Sequence, residues 1–369
     1  VALTAALLSA APASARADEP TWLPTDAAGA QAELGLRADA PVAAFDVDLD
    51  SVLGGSSELR TMARSVAPET KHVSLPDPTG AFVDFEVQPV SVMEDDLASR
   101  HPELKTYAGH ATDDPTTSVR LSVTPLGVSA SVRSGDNRSV PWYIDPVPSD
   151  SGSANPQHIS YGRDAAREDK GAAQFLEPKE EAPVVDKAPD AAPTSTRQVI
   201  RLALASDPAF AQFYGTENVL AAKVVMINRV AQIYNDDVGV QLKLINDTEK
   251  LNFDTDAAAY EPGGECGTDA CYPPGALGWC GENTLTSNAW ALQRILGDGA
   301  YDVGHVSLGS GNGGIAYWNV VGVDYWKGGG CTGLYAPVGD VFATDYVAHE
   351  LGHQFGGTHT MNACHNAQG

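Results

Sequence analysis

Residues 349–359 read His-Glu-Leu-Gly-His-Gln-Phe-Gly-Gly-Thr-His, and no other stretch limits the architecture so tightly. A helix turns once every 3.6 residues, so His349 and His353 leave one face a single turn apart and can share one tetrahedral Zn²⁺. Glu350 points to the side, close enough to meet a metal-bound water without ligating the metal. His359 is the candidate third ligand, yet a continuous helix would carry it roughly 9 Å along the axis and out of reach. The chain must break between His353 and His359. Gly356-Gly357 is where it can, because glycine takes the left-handed conformation that ends helices. Val347, Leu351 and Phe355 form an apolar stripe on the opposite face, which predicts a helix with its back on a core and its histidines in a cleft.

The pattern H-E-x-x-H-x-x-G-x-x-H, with every fixed position filled, resembles the metzincin zinc peptidases. Gly-His-Gln-Phe-Gly-Gly-Thr-His resembles most the reprolysin-like branch of bacterial secreted proteins. The resemblance implies a zinc endopeptidase: His349, His353 and His359 as ligands of one catalytic zinc, and Glu350 as general base for the metal-activated water. It also implies that Gly314, Ile315, Ala316 and Tyr317 lie on an edge strand that pairs with extended substrate, giving affinity through the backbone. Metzincins place a methionine turn beneath the metal. Met361 follows His359 by two residues only, so the resemblance leads to the expectation that this sequence stops short of that turn. A catalytically silent secreted binding protein on a peptidase scaffold is the rival from another class, disfavoured by the intact Glu350. A zinc hydrolase of a non-protein substrate is the rival within the class.

The 23 basic and 48 acidic residues disfavour nucleic acid and anionic membranes as partners. The expected partner is a protein or peptide substrate, met by a monomer. Residues 1–17 form an apolar, small-residue run with Ala-x-Ala choices, read as the remnant of a secretory signal. The product is therefore expected outside the cell, with no membrane contact once the signal is gone. Residues 18–162 are expected to form a β-rich domain similar to the pro-regions that precede such peptidases. Alternation at Val119, Leu121 and Val123, then at Val128, Ala130 and Val132 across Pro125-Leu126-Gly127, predicts a hairpin, with a short strand near Trp142–Ile144. Asp95–Tyr107 reads as a short helix interrupted at Pro102. Residues 163–197 mix charges and prolines and read as a flexible processing linker. The first 197 residues contain no cysteine, so no thiolate from them can cap a metal.

From Gln198 the order is strand, helix, strand, helix, strands and metal helix, which predicts an α/β (α+β) catalytic domain with a mixed sheet over 198–369. Val199–Leu204 is the first strand, and Leu220, Val224, Ile227, Ala231 and Tyr234 mark one face of the first helix, stopped at Gly239. Val240–Ile245, Val303–Leu308 and Ile315–Val323 are the further strands, Ser287–Leu296 is the second helix, and the metal helix starts near Asp340. All five cysteines fall in this part. Export predicts disulfides over a second zinc site, with the pairing open and Cys364 the expected orphan.

Overall fold

The computed structural model describes residues 22–49, 52, 70–135, 139–148, 157–165, 174–175 and 198–359. The signal remnant, most of the linker, Met361, Cys364 and His365 lie outside the described residues. The rest is a mixed α/β structure with a β-rich first part, as expected. Nine antiparallel strands make one sheet: β1 (Trp22–Thr25), β2 (Val42–Val47), β3 (Lys71–Pro76), β4 (Phe82–Val90), β5 (Lys105–Ala111), β6 (Thr117–Thr124), β7 (Gly127–Ser134), β8 (Trp142–Pro146) and β9 (Gln157–Gly162). Their order across the sheet is β1-β2-β9-β8-β7-β6-β5-β4-β3. The expected hairpin is β6–β7, in register from Thr117 opposite Ser134 to Thr124 opposite Gly127. Its alternating apolar side chains, among them Val119, Leu121, Val128 and Val132, fill a core with Phe85, Val87 and Tyr107. Helix α1 (Ala28–Glu33) lies between β1 and β2, in a stretch whose weak periodicity gave no element. Helix α2 (Asp95–Arg100) ends before Pro102, and Lys105 already starts a strand.

The second sheet has order β10-β14-β15-β13-β11-β12, built from β10 (Gln174–Phe175), β11 (Gln198–Ser206), β12 (Val240–Leu244), β13 (Val303–Leu308), β14 (Asn312–Ala316) and β15 (Gly330–Leu334). All its pairs are parallel except β14 with β15. Strand β14 is shorter than its apolar run predicts. Tyr317 turns into the core against Trp326, and its N–H bonds to the Gly329 carbonyl. Helices α3 (Pro208–Tyr214) and α4 (Val219–Ile233) connect the parallel strands β11 and β12; α5 (Asp256–Tyr260) and α6 (Glu282–Leu296) follow. A parallel pair needs a crossover of this kind. A π-helical turn continues α4 to Val238, and Gly239 (φ +71°) ends it in the left-handed region. Disulfides Cys266–Cys271 and Cys280–Cys331 tie the α5–α6 loops and β15, which leaves neither pair for a second metal site.

Helix α4 lies between the two sheets. Leu220, Val224, Ile227 and Ala231 join Leu202, Leu204, Leu242 and Leu244 in one core. The opposite flank meets the nine-stranded sheet. Asn228 Nδ2 donates to the Leu121 carbonyl (3.1 Å) and to Ser122 Oγ (3.0 Å), and Ser131 Oγ donates to Gln232 Oε1 (2.7 Å). Arg229 makes a bidentate pair with Asp145 at 3.0 and 3.2 Å, with both side chains buried. The metal-motif helix, a π-helical segment Val341–Ala348 running into α7 (His349–Gln354), packs its stripe on the same core: Val347 and Leu351 are fully buried and Phe355 stacks on Tyr234. Leu351→Ala is expected to cost about 2–5 kcal/mol, the range for emptying a fully buried leucine site. Urea denaturation of the variant beside the parent checks it.

Candidate metal centre

Gly356 (φ +97°) ends α7. Its N–H bonds to the His353 carbonyl (2.9 Å), and the Gly357 N–H bonds to the Gly352 carbonyl (2.8 Å). This is the paired closure of a Schellman cap, with glycine in the left-handed position. The turn reverses the chain within one residue and brings His359 back over the helix. The three Nε2 atoms form a near-equilateral triangle: His349 to His353 3.0 Å, His349 to His359 3.1 Å and His353 to His359 3.1 Å. Two nitrogens on one tetrahedral zinc, at Zn–N distances of ~2.05 Å, lie about 3.3 Å apart, so the triangle has about the size of one face of that coordination shell. His353 Nδ1 donates to the Gly357 carbonyl (2.8 Å), which places its proton on Nδ1 and turns the Nε2 lone pair inward. Converging lone pairs repel one another and suit a cation. Among the described residues, these three histidines are the cluster of ligating side chains that can hold a metal ion.

Helix α7 is held from behind. Asn319, with φ +57°, and Val320 donate their N–H groups to the His353 and Gln354 carbonyls at 2.9 and 2.8 Å, satisfying acceptors that a helix end leaves open. The buried Gln354 side chain gives both amide hydrogens to carbonyls, Gly304 at 2.8 Å and Lys327 at 3.4 Å. Its Oε1 therefore accepts from His305 Nδ1 (3.1 Å), and His305 Nε2 accepts from the Thr332 hydroxyl (2.8 Å). Every proton in this chain of bonds has one place to go. Sequence reasoning missed His305 and Gln354 as supports, since the first lies on β13 and has no ligand spacing to the motif.

Glu350 is buried beside the histidines, and β14 runs directly over it. A Cβ on Gly314 would collide with the Glu350 carboxylate, so glycine is needed for the strand to pass this close. Gly314, Ile315 and Ala316 lie on β14; the Ile315 and Tyr317 side chains sit in the core, so this strand offers a ligand its main chain rather than those side chains. The outer edge of β14 is paired with β10, with Gln174 opposite Gly313 and Phe175 opposite Gly314, in parallel.

Comparison with known families bears on residues 216–369 of the chain. Residues 216–369 match the metallo-peptidase family M12B, reprolysin-like. Over these residues the chain is similar to reprolysin-like metallopeptidases. The match covers α4 to the metal motif, and the triangle of histidines fits the metzincin motif at its end. No curated protein matches the chain.

Burial pushes the His305 pKa down to about 4. The unfolded imidazole titrates near ~6.5, so the stabilisation is complete above that pH and is lost as pH falls toward 4, by up to about 3 kcal/mol. Unfolding free energies at neutral and acid pH should therefore differ less in His305→Gln than in the parent. Equal pH dependence in the two would remove His305 as the cause.

Proposed function

We propose that residues 198–369 are the catalytic domain of a secreted zinc endopeptidase, made as a precursor. Residues 18–162 are then its β-rich pro-domain, 163–197 the processing region and 1–17 the remnant of an export signal. The observation that carries the reading is the triangle of three Nε2 atoms beside a buried glutamate under β14. Zn²⁺ held by His349, His353 and His359 would supply a Lewis acid that polarises the scissile carbonyl and acidifies water. Glu350 takes the proton from the attacking water, holds it in a buried pocket, and delivers it to the leaving amine. The His353 contact to Gly357 keeps one of the three rings from turning. The main chain of Gly314–Ala316 pairs with an extended peptide and brings its carbonyl over Glu350. Serine or cysteine nucleophiles have no part in the scheme.

Two disulfides, and the absence of any helix among the described residues long and apolar enough to cross a membrane, support the extracellular reading. The pairing of Gln174–Phe175 with Gly313–Gly314 supports latency, because the edge a substrate would use is already taken.

The full-length product is expected to hold one zinc per chain. His353→Ala should lose it. Glu350→Ala should keep zinc and lower kcat about 10²–10⁴-fold, the range for a lost general base; unchanged activity in Glu350→Ala would refute the assigned role. Metal content by atomic emission and hydrolysis of casein measure the two effects separately.

Cleavage within 176–197 should raise activity by freeing the β14 edge. Thiol-reactive mercurials should not, since no cysteine precedes Cys266. An uncut precursor as active as the cut form would end the case for latency.

A further inference from the structure

Three independent contacts bind the nine-stranded part to residues 198–359. The first is an edge. The Glu94 N–H donates to the Leu244 carbonyl (2.8 Å) and the Leu244 N–H to the Val92 carbonyl (2.7 Å), so residues 92–94 continue the second sheet beyond β12. Asn246 fastens the join: its N–H donates to Glu94 Oε2 (2.8 Å), and its Oδ1 accepts from the Leu97 N–H (3.0 Å), capping the first turn of α2. The second is a core. Val92, Met93, Leu97 and Leu104 are buried in the same cluster as Leu202, Leu204, Leu242 and Leu244. The third is a charge. Arg229 meets Asp145 with both side chains about 95% out of solvent, and Tyr161 donates to Asp145 Oδ2 (2.6 Å).

Removing the first part would open a strand edge, uncover apolar core and leave Arg229 without its carboxylate. Each of these carries a large free-energy cost. By contrast, β10 is held to β14 over two residues.

We propose that residues 22–165 are a permanent partner of residues 198–359, remaining docked as a separate chain after the connecting stretch is cut. Cleavage then frees the short strand on β14 and nothing else. The working unit comprises both sheets, and the segment that matches the peptidase family has a buried face made by residues outside that match. The interface needs no metal and no catalysis, so the inference stands or falls apart from the proposed activity.

The test is a full-length chain carrying a site-specific protease sequence within 176–197, in the Glu350→Ala background, cut and run on gel filtration at low micromolar concentration. Both fragments are expected in one peak, with the Glu94 and Leu97 amides still protected from hydrogen exchange. Asp145→Asn removes the carboxylate that pairs with the buried Arg229 and should raise the dissociation constant of the cut pair about 100–1000-fold. Leu97→Ala, a milder change that the uncut chain tolerates better, should raise it about tenfold or more. Separate elution of the parent fragments, fast exchange at both amides, or unchanged dissociation constants in the two variants would each overturn the proposal.

Discussion

Helix α4 is buried on every side, and the rest of the molecule is arranged by how its two unlike flanks are satisfied. The apolar flank, Leu220 to Ala231, packs on the parallel strands and on the metal-motif helix. The polar flank, Asn228, Arg229 and Gln232, would be costly to bury without partners. Partners come from the nine-stranded sheet: a strand carbonyl, serine hydroxyls and the Asp145 carboxylate. Burial of the ion pair pushes the Arg229 guanidinium and Asp145 into mutual dependence, since either alone would be a desolvated charge. The helix ends in Tyr234, whose hydroxyl donates to the Ala348 carbonyl one residue before His349 (3.0 Å). The element that joins the sheets therefore also sets the height of the metal-motif helix.

The site is built by backbone more than by side chains. A Schellman turn returns His359, a left-handed Asn319 caps the helix end, and glycine at 314 lets β14 lie against Glu350. At Gly356 and Gly314 a Cβ would obstruct the conformation or the approach, whereas asparagine is among the few other residue types that enter the left-handed region. The polar chain Thr332–His305–Gln354 fixes the roll of the helix relative to the sheet, with hydrogen bonds that run in one direction only. Preorganisation of this kind holds ligands in place before a metal arrives, and metal affinity depends on it.

Arg163 extends the same bracing toward the site. It pairs with Asp345 and lies 3.8 Å from Asp340, both on the segment that leads into His349. Burial raises the Asp340 pKa, opposed by the Arg229 charge nearby. The start of the metal-motif helix is thus held by residues of the first part, its end by Asn319 and Val320, and its middle by α4.

The convergence of His349, His353 and His359 and the break at Gly356-Gly357 were legible in the sequence, because a helical turn followed by a glycine break brings three imidazoles together within eleven residues. The β6–β7 hairpin, α4 and the chain order of β11, α4, β12, α6 and β13 were legible because period and punctuation are local, whereas β15 (Gly330–Leu334) and the order of strands across the second sheet were not. What the sequence could not contain was the fate of the polar positions between the apolar ones. Ser118, Ser122, Ser129 and Ser131 alternate with valines and leucines and read as a solvent-facing side. In the structure Ser122, Ser129 and Ser131 are buried against α4. In the structure Asn228, Arg229 and Gln232 of α4 find hydrogen-bond partners on that face. Strand β10 lay hidden in a charged, proline-broken stretch, because two residues carry no period and their pairing depends on an edge more than 130 residues away. Local pattern determined much of the helix and strand assignment and which histidines would converge; which polar faces meet, and which edges are covered, was decided only by the contacts between distant parts of the chain.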